Sequence, residues 1–199
     1  MNKNWIRVLC FTLLLFSATA ANAVVIVDTG PGPGGDTGGW TLGDTQWLAG
    51  EFTTTEDYII TSIEGWINPL NSTGIVRVAL YSDGGEIPGT QLFSDTFSKP
   101  GTSGNGWYGV SGLSWELLAG TYWVSFEGVT GTGGAMPYPS ATPLANEAFF
   151  NSINSAWNEK DDLDIGVKIL GDVSAVPEPT ALALLGLGLV GGLGYRRKK

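Results

Sequence analysis

The chain has 199 residues with no histidine, one cysteine (Cys10) and a formal net charge of −9. It cannot assemble a Ser-His-Asp triad, a Cys-His nucleophile or an ordinary zinc ligand set, since each needs an imidazole or a soft sulfur donor. Most of the ten Lys and Arg residues lie at the two ends, leaving Val24 to Pro179 with 4 cations against 19 carboxylates, or −15. That balance argues against nucleic acid or anionic lipid as a partner of this segment.

Residues 1–23 open with Lys3 and Arg7, run through the apolar stretch Val8 to Phe16 and end at Ala21-Asn22-Ala23. A basic start, a short apolar run and a small-x-small site make a secretory signal, predicted as a helix removed before Val24. Cys10 stands near the beginning of the apolar run rather than after it, which speaks against lipidation.

Residues 24–172 are predicted as one all-β domain. The chain's 30 glycines are spread between short β-branched and aromatic runs, the spacing of many strands joined by turns. The predicted strands are Val24–Val27, Trp47–Thr53, Tyr58–Ile67, Ile75–Tyr81, Leu92–Phe97, Trp107–Val110, Thr121–Glu127 and Asp164–Leu170. Alternation places Ile59, Ile63 and Ile67 on one face of the third, and Val76, Val78 and Leu80 on one face of the fourth. Two sheets packed face to face would bury such rows, so the expected fold is a two-sheet, jelly-roll-like sandwich. Ser82-Asp83-Gly84-Gly85, Ile87-Pro88-Gly89 and Leu118-Ala119-Gly120 read as turns, and Gly128 to Glu147 as a long irregular loop.

Three runs of this segment, Trp47-Leu48-Ala49-Gly50-Glu51-Phe52, Val78 to Gly84 with Pro88-Gly89, and Ala119-Gly120-Thr121-Tyr122-Trp123-Val124, together carry a resemblance. They are similar to the choice-of-anchor β-sandwich domains of surface proteins, over about Val24 to Asp172. The resemblance implies a sandwich and no assigned activity, so no site residue carries over from it.

Seven tryptophans lie in the exported segment: Trp40, Trp47, Trp66, Trp107, Trp115, Trp123 and Trp157. Aromatic faces stack on sugar rings, whereas the plainer account is that these indoles fill the core. If Tyr122, Val124 and Phe126 face inward, Trp123 shares a polar face with Thr121, Ser125 and Glu127, making it the first candidate carbohydrate contact. Trp107 and Tyr108, in a Gly-flanked stretch, are the next. Asp161, Asp162 and Asp164 are weak calcium candidates, because Leu163 and Ile165 fall where an EF-hand needs oxygen ligands. An acidic turn is the simpler reading. Glu51, Glu64, Glu116 and Glu127 are the candidates for a glycosidase pair, which needs two carboxyls at a set separation. Gly30-Pro31-Gly32-Pro33-Gly34-Gly35 is an extended segment, since its prolines remove the backbone donors a phosphate loop uses.

Residues 173–179 read as a linker ending in Pro177-Glu178-Pro179. The apolar stretch 180–195 and the basic cluster Arg196, Arg197, Lys198 and Lys199 follow. The prolines stop any preceding element, and the Leu/Ala-rich run after them is predicted as a transmembrane helix. Its 16 residues span roughly 24 Å, short of a ~30 Å hydrocarbon core. The basic cluster stays cytoplasmic by the positive-inside rule, which puts the domain on the far side.

This order of motif, short helix and basic end resembles the PEP-CTERM sorting signal, over Val176 to Lys199. The resemblance implies an exosortase-type membrane enzyme as partner, with cleavage near the motif and a destination at the surface of an exopolysaccharide-producing cell. The expected function is a non-enzymatic cell-surface or extracellular-matrix protein, as in a biofilm. The alternatives are a carbohydrate-binding module of the exopolysaccharide matrix and a carboxylate-dependent glycosidase.

Overall fold

The computed structural model describes residues 23–129 and 131–174; the predicted signal helix, the sorting motif, the predicted transmembrane helix and the basic tail lie outside them. The strands in chain order are β1 (Val24–Asp28), β2 (Trp40–Gly43), β3 (Gln46–Thr54), β4 (Tyr58–Ile67), β5 (Gly74–Asp83), β6 (Pro88–Lys99), β7 (Gly106–Leu117), β8 (Gly120–Gly128), β9 (Gly133–Met136), β10 (Glu147–Asn151), β11 (Ala156–Glu159) and β12 (Val167–Val173). Among the described residues no helix is long and apolar enough to cross a membrane.

Two antiparallel sheets face each other, one of order β1-β12-β4-β7 and one of order β11-β10-β3-β8-β5-β6. Setting aside β2 and β9–β11, the chain changes sheet at every connection except β5 to β6, which is the path of a jelly roll. The fold is therefore the all-β sandwich expected from the alternation. Between the sheets lie Leu48, Val78, Val124 and Phe126 from one side and Ile63, Ile67, Val110, Val167 and Ile169 from the other. Gly65 has a packing reason: a Cβ there would come within 2.7 Å of the Phe126 ring. The remaining pair, β2 with β9, adds buried Leu42 and Met136 to the same core.

Four expectations need correction. A bulge in the β4 register between Ile60 and Ser62 turns Ile60, rather than Ile59, into the core beside Ile63 and Ile67. The strand expected at Trp107–Val110 runs on to Leu117, because its polar residues still pair with β4. The expected loop Gly128 to Glu147 holds β9. The last strand starts at Val167, not Asp164, since Asp164 sits at φ 47°, outside the range of an extended strand.

At the far edge of the six-stranded sheet, β6 pairs with β5 alone. Its Asp95 lies opposite the inward-facing Val78, between the half-buried Phe93 and Phe97. A charge on the inward side of an edge strand discourages a second chain from adding there. Asp95→Val is accordingly expected to make the mature protein self-associate, with light scattering rising with concentration. A variant that stays monomeric at the wild-type limit would remove this role.

Lys99, at the end of β6, is 1% exposed. Its Nζ donates to the carbonyls of Pro69 (2.7 Å) and Ser72 and to the Ser72 hydroxyl, tying down a turn in which Leu70 and Asn71 have φ of 53° and 54°. Burial pushes this ammonium below its ordinary pKa.

Candidate functional site

Because Leu48, Val78 and Phe126 point inward, their chain neighbours face out from the six-stranded sheet. Strand pairing sets five of these in one row across it: Trp157, Phe150, Trp47, Glu127 and Arg77. The next row is made of small residues, Ala148, Ala49, Ser125 and Ala79. A third row holds Glu51, Trp123 and Tyr81.

The small middle row leaves space into which rings from both sides lean. The Trp47 and Phe150 rings stack at 4.0 Å, and Trp157 meets Phe150 edge-on at 5.7 Å. Although β11 and β5 are four strands apart, the Trp157 ring reaches to 5.9 Å from that of Tyr81. Beneath this layer Trp123 is fully buried, in a cluster with Ala49, Ala79, Tyr81 and Ala148 that Ile87 and Trp157 cover.

Glu127, 1% exposed, is the polar centre of the face. Its carboxylate accepts from two guanidinium nitrogens of Arg77 (Nε at 2.7 Å), from the Tyr81 hydroxyl (2.7 Å) and from the Ser125 hydroxyl (2.6 Å). Burial and the adjacent Glu127 charge push the Tyr81 phenol well above its ordinary pKa, so it remains a donor. The Arg77 side chain keeps 35% of its surface in water and lies 5.5 Å from the centre of the Trp47 ring. The indole N–H groups of Trp47 and Trp123 are buried without a protein acceptor. The face thus offers aromatic surface, a half-exposed guanidinium, and a charge pair that largely cancels itself.

The residues singled out from the sequence are distributed differently. Trp123 does share a face with Ser125 and Glu127, but its exposure is zero because that face carries a second apolar layer. Tyr108 packs against the main core. Trp107 lies on the opposite sheet, edge-on to Trp66 at 5.4 Å, with the Lys168 ammonium 4.5 Å from its ring centre. Sequence reasoning counted Trp47 and Trp157 among the seven tryptophans without singling them out, and passed over Phe150. The pair Phe149-Phe150 was the available signal, one ring packing toward the core and its neighbour outward.

Among the described residues no three His, Cys, Asp or Glu side chains, Asp161, Asp162 and Asp164 included, are grouped so as to hold a metal ion. Asp162 pairs with Lys160, and Asp161 is exposed. Leu163 and Ile165, on either side of Asp164, are fully buried, so this loop is anchored by its apolar residues. It is also held by Glu147, 1% exposed, whose carboxylate accepts the backbone N–H groups of Asp164 (2.6 Å) and Ile165 (3.0 Å).

Burial raises the Glu147 pKa despite those two bonds. A carboxyl whose folded pKa is raised contributes stability that is fully present below its unfolded value, about 4.3, and is lost as pH rises through the folded value. Glu147→Gln cannot ionise, and its amide keeps one acceptor oxygen while setting its NH2 against the other backbone N–H. It should be less stable than wild type at every pH yet lose less stability between about pH 4 and 7. Urea midpoints across that range test this, and parallel curves for the two proteins would refute it.

Residues 175–198 match the family model of the PEP-CTERM protein-sorting motif. The PEP-CTERM match supports an exported protein, sorted by an exosortase-type enzyme from a membrane-anchored precursor. It covers Pro177, Glu178 and Pro179, the apolar stretch and three of the four terminal basic residues. No curated protein matches the chain.

Proposed function

We propose that this PEP-CTERM protein is a non-enzymatic cell-surface or matrix protein whose sandwich binds a neutral glycan on the outer face of its six-stranded sheet. The row Trp157–Phe150–Trp47 ending in the Arg77–Glu127 pair carries the reading. Half-buried rings suit the apolar face of a pyranose, and fixed donors beside them suit its hydroxyls. Since Glu127 already neutralises Arg77, the row has no free cation to select an anionic sugar. The similarity to choice-of-anchor sandwiches fits a display module, and an exopolysaccharide matrix is the natural source of the ligand.

The carboxylates support a binding role over hydrolysis. Glu51 and Glu127 lie on the outer side of one sheet, Glu64 and Glu116 on the other sheet. Partners of Trp123 and Trp47, Glu51 and Glu127 stand four residues apart along paired strands, about 13 Å, beyond the roughly 5–9.5 Å of glycosidase pairs. Glu127 is, in addition, saturated with donors.

Titrating the mature protein with purified host exopolysaccharide and neutral oligosaccharides tests the reading. Trp157→Ala should weaken binding roughly tenfold or more while the protein still unfolds cooperatively. Unchanged affinity in a folded Trp157→Ala protein would move the ligand elsewhere, and new reducing ends in the mixture would overturn the non-enzymatic assignment.

A further inference from the structure

We propose that the end of the sandwich from which the sorting tail leaves is itself a docking surface for the membrane-embedded processing enzyme. The inference rests on the sorting reading and adds a second, folded recognition element to the linear motif.

The topology brings both ends of the domain together. Val24 of β1 pairs with Gly171 of β12, and Val173 pairs with Tyr58, which in turn pairs with Leu117. The turns β3–β4 and β7–β8 lie at this same end and are locked together: Ala119 N donates to the Asp57 carboxylate at 2.8 Å, and Ser174 N to the Asp57 carbonyl at 2.8 Å. Ser174 is therefore held on the fold, and Glu178 follows it by four residues, at most about 14 Å of chain. An enzyme that engages Pro177-Glu178-Pro179 must come against this end of the domain.

The surface there has the make-up of a protein contact. Leu118, at the tip of the β7–β8 turn, is 68% exposed, and Val24, Val25 and Val173 are exposed beside the tail. Around them stand Glu56 and Asp57 in the β3–β4 turn, Asp83 at the end of β5, Glu116 near the end of β7, and Asp172. The four cations of the described residues are engaged elsewhere: Arg77 with Glu127, Lys160 with Asp162, Lys168 near Asp28, and Lys99 on the Pro69 and Ser72 carbonyls. An apolar centre within an acidic rim suits a protein with a basic rim, the same chemistry that Glu178 itself asks of its reader. The rim disfavours the anionic bilayer as the occupant.

The test follows conversion of the full-length precursor to mature protein in the native host by intact mass over time. Two variants leave the tail and the Asp57 lock untouched: Leu118→Ser, and Glu56→Lys combined with Glu116→Lys. Each should slow conversion roughly fivefold or more. A flexible Gly/Ser insertion of about twelve residues after Ser174 should erase the difference between wild type and variants, because the motif then reaches the enzyme without the domain. Wild-type rates in both variants would overturn the docking surface while leaving the sorting reading intact, provided that alanine replacement of Pro177-Glu178-Pro179 still blocks conversion. Unblocked conversion in that alanine variant would remove both readings. If the Lys variant slows conversion and also binds phosphatidylglycerol vesicles that the wild type ignores, while Leu118→Ser converts normally, adhesion to lipid replaces docking. Loss of a dimer in Leu118→Ser with normal conversion would reassign the patch to a second copy of this chain.

Discussion

Trp123→Ala is expected to destabilise the mature protein by about 3–5 kcal/mol, the cost of removing a fully buried large aromatic side chain. The indole is the largest side chain of the outer cluster and touches the sheet through Ala49, Ala79 and Ala148, which cannot expand to fill the space it leaves. For a domain of this size such a loss corresponds to a fall in melting temperature on the order of 10 °C. Trp123→Phe should recover part of it, because a phenyl ring fills part of the volume and lacks the buried, unpartnered indole N–H. Urea and thermal unfolding of the three proteins measure this. A Trp123→Ala protein with wild-type stability and lost glycan affinity would show instead that the indole faces solvent and ligand.

The second large effect concerns processing. Replacing Pro177, Glu178 and Pro179 by alanine is expected to abolish tail removal, so that protein recovered from the host's envelope retains Leu182 to Lys199. Wild-type protein should begin at Val24 and end near Pro179. The apolar run and basic cluster are expected to hold a precursor in the membrane, and a permanent anchor would not need the two prolines and the carboxylate between them. Intact mass decides the matter: wild-type protein that keeps its C-terminal basic residues would leave a plain single-span anchor.

These two predictions draw on different kinds of information. The tail's meaning is linear: a motif, an apolar length and a terminal charge act through their order in the chain, and PEP-CTERM similarity was visible before any fold. The sandwich was legible for a related reason, since the strict period of two in Val76, Val78 and Leu80, or in Tyr122, Val124 and Phe126, is a local pattern that one buried face imposes. Local pattern failed where pairing partners intervened. The bulge that exchanges Ile59 for Ile60 is a property of β4 against its neighbours, and β10 and β11 are too short to show a period.

Composition and order by themselves determined export, the acidic and imidazole-free chemistry, the alternating strands and the sorting tail. Only the tertiary structure decided which aromatic residues are available. Alternation states that Trp123 and Glu127 leave the core side of β8, but not what lies over them. That depends on a hairpin, β10–β11, contributed from the connection between β8 and β12 and placed beside β3. Once it is there, Trp157 and Phe150 cover the small-residue row, Trp123 becomes a second core, and Trp47, Phe150 and Trp157 form the outermost ring layer. The end surface at Leu118 is likewise a product of pairing, since nothing local in Val24 or Gly171 reveals that they meet across β1 and β12. The physical reason is the same in both cases: burial of an outward-facing residue is set by segments distant in sequence, and a period of two reports only which side of its own strand a residue occupies.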